Sequence, residues 1–259
     1  MHQVDAFTDQ LFGGNPAAVV PLETWLEDSL MLAIAQENNL SETAFLVPEG
    51  SGYRIRWFTP AFEVDLCGHA TLASAHVLFD TGKVEGDELR LQSRSGELVV
   101  RRQGDRLVLD FPADPPEPVE YDSSIASALG RDPVAILAGR YHLAVFDSAT
   151  DVAALKPDMS TLAELAPLAV IATAPGEDCD FVSRFFGPKA GVPEDPVTGS
   201  AHCLLVPYWK ERLGKTELHA RQISNRGGEL YCEDRGDRVH ISGRAVSYLV
   251  GRITVPDPD

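Results

Sequence analysis

The sequence predicts an α+β fold in which one unit, a curled sheet wrapped around a central helix, occurs twice. Three observations carry that prediction: segments that recur half a chain apart, short stretches with the two-residue period of strands, and two stretches without charge. In chain order, the first helix is expected from about Glu27 to Asn38. Leu30, Met31 and Ile34 share one face there, and Asn38-Asn39 can stop it. Tyr53, Ile55 and Trp57 alternate with Arg54 and Arg56, as in a strand with one wet face. From His69 to Phe79 no residue carries a formal charge. A helix without a polar face must be surrounded by protein, and a sheet curled around it is the natural container. Glu97–Val100 and Arg106–Leu109 flank Gln103-Gly104-Asp105 and read as a hairpin.

The second half repeats these features. Arg56-Trp57-Phe58-Thr59-Pro60 returns as Arg184-Phe185-Phe186-Gly187-Pro188, and Cys67-Gly68-His69-Ala70 as Thr198-Gly199-Ser200-Ala201. Arg94–Leu98 returns as Arg226–Leu230, and Gly104–Leu109 as Gly236–Ile241. The matches keep their order at a nearly constant spacing, which points to duplication. The proline-rich stretch Phe111–Pro118 punctuates the halves. Two domains are therefore expected, residues 1–115 and 116–259, with the last strand free to return to the first. The second charge-free stretch, Ser200 to Trp209, predicts the second central helix, which Pro207 should kink or end. Leu230–Cys232 and Val239–Ile241 form the second hairpin, around Arg235-Gly236-Asp237.

Composition narrows the function classes. Among 259 residues, 44% are apolar and 24% charged, as in an ordinary globular chain rather than a disordered or fibrous one. The net charge of −17 disfavours nucleic acid as a partner. No apolar run reaches the length of a membrane span; Leu165 to Pro175 is too short. The first residues do not read as a secretory signal, and Cys67, Cys179, Cys203 and Cys232 show no disulfide or metal-ligand spacing. A reduced, cytoplasmic protein is expected.

Each central helix opens at a glycine preceded by acids, Glu63–Gly68 in one half and Glu194–Gly199 in the other. Free N–H groups at a helix start favour an anion, and glycine lets a ligand approach the backbone. If the units face each other, Gly68, His69, Gly199 and Ser200 surround a small carboxylate in one cleft. The alternative makes both glycines tight turns and Ser200 a cap. His69, near its helix start, is expected to be neutral, either as a ligand-facing hydrogen-bonding group or as a structural core histidine. Asp195 reads as a site acid or a helix-terminus acid. Glu42, before the strand-like Phe45-Leu46-Val47, reads as a proton shuttle in an apolar cleft or as a loop glutamate.

The segments Val4–Thr8, Phe12-Gly13-Gly14-Asn15-Pro16-Ala17, Asn39–Phe45, Asp65-Leu66-Cys67-Gly68-His69-Ala70-Thr71 and Glu194–Ala201 resemble the PhzF-like isomerase family. The resemblance runs from residue 4 to about Gly228. That family is named after the phenazine-biosynthesis isomerase and shares its fold with diaminopimelate epimerase. The resemblance implies two similar domains, each a mainly antiparallel sheet curled around a helix, with the active site between them. It also implies that Glu42 is the catalytic acid. In the phenazine enzyme this acid moves a proton along a cyclohexadiene carboxylate, an allylic shift that leaves an enol to become a ketone. His69 and Asp195 are implied to orient substrate and tune the transfer. Ser41, Gly68, Thr198, Gly199 and Ser200 are the implied substrate-binding positions. Homodimers without metal or organic cofactor are the family's habit.

The epimerase relatives place a cysteine before each helix-start glycine. Here the pair is Cys67 and Thr198, and a threonine hydroxyl is too weak an acid or base to replace a thiol. The sequence thus predicts an isomerase of a small carboxylated, unsaturated or cyclic metabolite. The rivals are a racemase with a different second base and a binding protein that has kept the fold.

Overall fold

The alternation in Gly52–Phe58 is a strand with Ile55 and Trp57 buried and Arg54 exposed. In the computed structural model, which describes residues 1–165 and 168–256, this strand lies inside the first of two similar curled sheets. Neighbour by neighbour, that sheet runs Ala245–Val250, His2–Ala6, Asn15–Pro21, Glu42–Glu49, Gly52–Phe58, Glu88–Ser93, Gly96–Gln103 and Arg106–Pro112. The second runs Glu117–Pro118, Ala135–Ala138, His142–Val145, Val170–Pro175, Phe181–Gly187, Glu217–Gln222, Gly228–Asp234 and Arg238–Gly243. Even the parallel neighbours recur at matching places. Asn15–Pro21 with Glu42–Glu49 corresponds to His142–Val145 with Val170–Pro175. Gly52–Phe58 with Glu88–Ser93 corresponds to Phe181–Gly187 with Glu217–Gln222. The other pairs are antiparallel, and the sheets join where Arg106–Pro112 pairs with Arg238–Gly243. We propose residue 115/116 as the boundary of the two units. The chain crosses from one sheet to the other there, and Ala245–Val250 returns to pair with His2–Ala6.

Each sheet wraps a helix. Gly68–Asp80 buries ten side chains, from His69 to Phe79, and Gly199–Leu213 buries nine residues, among them Leu204, Leu205 and Trp209. Without charges to desolvate, and with the buried Thr71, Ser74 and His202 bonded to carbonyls one turn back, these segments can sit inside a sheet. Pro207 does not end the second helix, which continues to Leu213. Its missing N–H leaves the Cys203 carbonyl without the usual partner, and the Asp114 N–H donates to that carbonyl at 3.0 Å instead. Of the expected kink or end at Pro207, the end does not occur, because a tertiary hydrogen bond replaces the lost helical one.

One hydrophobic core spans both units, from Trp57, Leu72 and Leu78 to Phe181, Leu204 and Trp209. Outside the first sheet, the helix Asp28–Asn38 packs Met31, Ile34 and Ala35 against Phe45 and Phe58. Outside the second, Ile125, Leu129, Val152 and Leu162 from three short helices cover Ile136, Phe146 and Phe186. The apolar run once weighed as a membrane span supplies the strand Val170–Pro175; its residues 166 and 167 lie outside the described residues. Among the described residues no helix is long and apolar enough to cross a membrane.

Candidate active site

The two central helices start back to back. A Cβ built on Gly199 would lie 3.6 Å from the Gly68 Cα, and one on Gly68 would lie 3.5 Å from the Gly199 Cα. A single Cβ on either glycine would thus be in ordinary van der Waals contact with the other helix start. Both open onto one cavity of about 570 Å³, lined from both halves by Glu42, Gly68, His69, Asp195, Thr198, Gly199 and Ser200. Phe62, Val64, Leu66, Phe111, Phe185 and Val192 form its apolar walls. Ser41 is not among the lining residues, although it directly precedes Glu42.

Local structure sets each side chain. The helix Asp28–Asn38 ends at Asn39, held left-handed at φ 49°, whose N–H donates to the Ala35 carbonyl. Asn38 Nδ2 then donates to Thr43 Oγ1 at 3.1 Å, fixing the approach to the strand that begins at Glu42. That strand runs parallel to Asn15–Pro21 with Glu42 opposite Ala17, which brings Glu42 to the cleft near the buried Asn15. Glu42 Oε2 lies 3.1 Å from His69 Nε2. Among the described residues neither atom makes a hydrogen bond. Glu42 therefore keeps a lone pair free for a proton on a ligand. His69 Nδ1 faces Asn15 Nδ2 at 3.1 Å and Cys67 Sγ at 3.5 Å.

Asn15, fully buried, ties the two halves together. Its Nδ2 donates to Asp195 Oδ1 at 2.8 Å and to the Val197 carbonyl at 2.9 Å. Thr198 Oγ1 donates to the other Asp195 oxygen. Gln222, also buried, accepts the Thr198 N–H and donates to the Asp195 carbonyl, clamping the loop before the second helix. Neither Asn15 nor Gln222 was assigned a role from sequence. Asn15 stands in a quoted motif without a charge or nucleophile to mark it, and Gln222 lies in an unremarkable strand.

The electrostatics follow from burial and neighbours. Burial pushes the Asp195 carboxyl up to about 6, with nearby Glu42 adding to the rise and His69 opposing it. For His69, burial works against the imidazolium, yet the Cys67 sulfur and the Glu42 carboxylate raise its pKa well above the usual histidine value. This reverses the expectation of a simply neutral ring: the sulfur and the carboxylate beside the ring together outweigh its burial. Burial drives the Cys67 thiol up to about 11, so it is protonated near neutrality. Glu42, Cys67 and His69 place donor atoms within 4.8 Å of one another, the group among the described residues able to hold a metal ion. Ser200 is not a cap. It lies one residue inside the helix, past the N-cap Thr198, and its Oγ contacts the Tyr141 hydroxyl at 3.0 Å.

Residues 4–251 match the family described as phenazine biosynthesis-like protein. An uncharacterized isomerase of Pseudomonas aeruginosa is 55% identical over 97% of both chains. This chain belongs to the PhzF family. A crystal structure of a PhzF-family protein from Enterococcus faecalis shares 48% identity over 96% of each chain, with a TM-score of 0.94. A predicted epimerase from Pseudomonas aeruginosa, at 20% identity and TM-score 0.76, covers 98% of this chain and 99% of its own and shares the fold alone. Within the PhzF frame, the duplicated sheets and the cleft between their helices are family architecture. The acids and the histidine in that cleft are the features whose roles need an argument.

Proposed function

We propose that this protein is an isomerase that moves a proton on a small carboxylate-bearing, unsaturated or cyclic metabolite, with Glu42 as the shuttle. One observation carries the reading: Glu42, His69 and Asp195 converge from both halves on a cleft that also contains both central helix starts. The ligand carboxylate lies at the Gly199-Ser200 N–H groups, where the helix macrodipole favours negative charge. Its carbon skeleton fills the apolar walls, bringing an allylic C–H to Glu42. Glu42 takes that proton and returns it further along the conjugated system, moving the double bond; in a substrate with a hydroxyl on the carbon that loses its proton, the product is an enol that tautomerises to a ketone. His69, at 3.1 Å from the carboxylate, stabilises Glu42 as an anion when the proton has left it. Asp195, which anchors Asn15 beside the ring, helps to fix the pocket that holds His69.

Two-thiol racemisation is disfavoured because Thr198 stands opposite a Cys67 thiol raised to about 11. A cytoplasmic homodimer working without metal or organic cofactor belongs to the same proposal. The test is a thermal-shift screen of unsaturated cyclic carboxylic acids, since ligands of the folded state raise its melting temperature. NMR of each hit in D2O then looks for a moved double bond and deuterium at one defined carbon. Hits that bind but are never isomerised would replace the enzyme by a binding protein.

A further inference from the structure

Among the residues lining the cleft, Arg140 is the sole arginine or lysine, in a chain of net charge −17. Its backbone is pinned, the N–H donating to Asp114 Oδ2 at 2.9 Å. Its exposed guanidinium lies 5.7 Å from the centre of the Tyr141 ring and, among the described residues, forms no salt bridge. Most other cleft charges are acids: Glu42, Asp114 and Asp195. Tyr141 fixes where along the cleft this cation sits. The tyrosine is buried, packs edge-on against Phe185 at 5.1 Å, and contacts Ser200 Oγ with its hydroxyl. The Tyr141 ring therefore spans from the second helix start towards the guanidinium, and both residues line the same cleft.

We propose that Arg140 is the specificity-determining cation of the cleft. It pairs with the ligand's carboxylate beside the Gly199-Ser200 start and so selects carboxylates over neutral molecules of the same shape. The inference rests on the reading above that the ligand is a carboxylate bound at that helix start. A guanidinium adds long-range attraction and a charge-assisted hydrogen bond that a neutral ligand cannot use.

Titration calorimetry with benzoate and its neutral isostere benzamide tests this in the wild type, Arg140→Gln and Arg140→Lys. The wild type should prefer benzoate by about tenfold or more, the scale of one charged hydrogen bond. Arg140→Gln should lose most of that preference by weakening benzoate alone, and Arg140→Lys should recover part of it. Unchanged benzoate affinity in Arg140→Gln would overturn the role of Arg140 while leaving the carboxylate reading intact. Equal weakening of both ligands would mark Arg140 as structural and overturn it too. A wild type without preference, binding both alike or neither, would remove the carboxylate reading and the proposal with it.

Discussion

Asp195 carries a proton further up the pH scale than an ordinary carboxyl because the folded chain buries it. Its pKa rises from 3.8 to about 6, so the folded state binds more protons than the unfolded state between those values. The resulting stability is fully present below about pH 4 and is lost as pH rises through 6. At pH 7 and above, the ionised carboxylate costs up to about 3 kcal/mol. Asp195→Asn keeps an oxygen for Asn15 and an amide for Thr198. It should therefore become progressively more stable than the wild type from pH 4 to 7, while turnover falls. Denaturant midpoints of both proteins across that range measure the difference, and a pH-independent gap would contradict it. His69 and Asp195 were legible as cleft residues because they stand beside the repeated glycines; Glu42 has no such marker and was singled out by the resemblance of Asn39–Phe45 to a family motif. Asn15, Gln222 and Tyr141 act through contacts with residues distant in the chain, and nothing in their local sequence announces those contacts. The raised pKa of His69 was illegible because it depends on how closely the Cys67 sulfur and the Glu42 carboxylate, the latter 27 residues earlier in sequence, approach the ring.

Between elements, the repeat extends to side-chain ties that the motif matches left unread. Arg56 holds Glu63 through two hydrogen bonds, and Arg184 holds Glu194 the same way, each bracing the loop before a central helix. A third tie crosses the units. Arg226 donates to Asp5 Oδ1 and to the Gly13 and Gly14 carbonyls, each at 2.8 Å, while Asp5 is buried. The loop it holds cannot relax easily: Gly14 has φ +60°, and a Cβ there would lie 2.1 Å from the Ala6 carbonyl oxygen. Arg226→Ala leaves a buried carboxylate without its cation and should cost about 3 kcal/mol in chemical denaturation. It should also lower activity, because the loop leads directly into Asn15. Adding Asp5→Asn should recover much of the stability; no recovery would mean that the buried charge was not the cause. The hairpins, the first helix and both charge-free helices were readable because each depends on local periodicity. Pro207 misled because local rules count the lost N–H, whereas Asp114, almost ninety residues away, supplies the replacement.

At the scale of the molecule, the duplication was readable because both copies kept the glycines, turns and strand periods that the fold demands. How the copies close on each other was not readable, since the contact of Gly68 with Gly199 depends on the packing of both sheets. That contact makes a prediction. A Cβ on Gly199 meets only ordinary neighbours at 3.6 and 4.0 Å, so the fold has room for it. The branched methyls of Gly199→Val would instead crowd the helix start that a carboxylate must reach. Benzoate affinity should fall by about tenfold or more with the denaturation midpoint little changed, and Gly199→Ala should fall between. Unchanged affinity would move the anion site away from the helix starts. The central claim is that the two halves close around Glu42 so that it can take a proton and return it. The most direct measurement is kcat together with ligand affinity in Glu42→Gln, which keeps the side chain's size but cannot carry the proton. The account predicts a fall in kcat of about 10²–10⁴ with affinity nearly unchanged; near-normal turnover would contradict it.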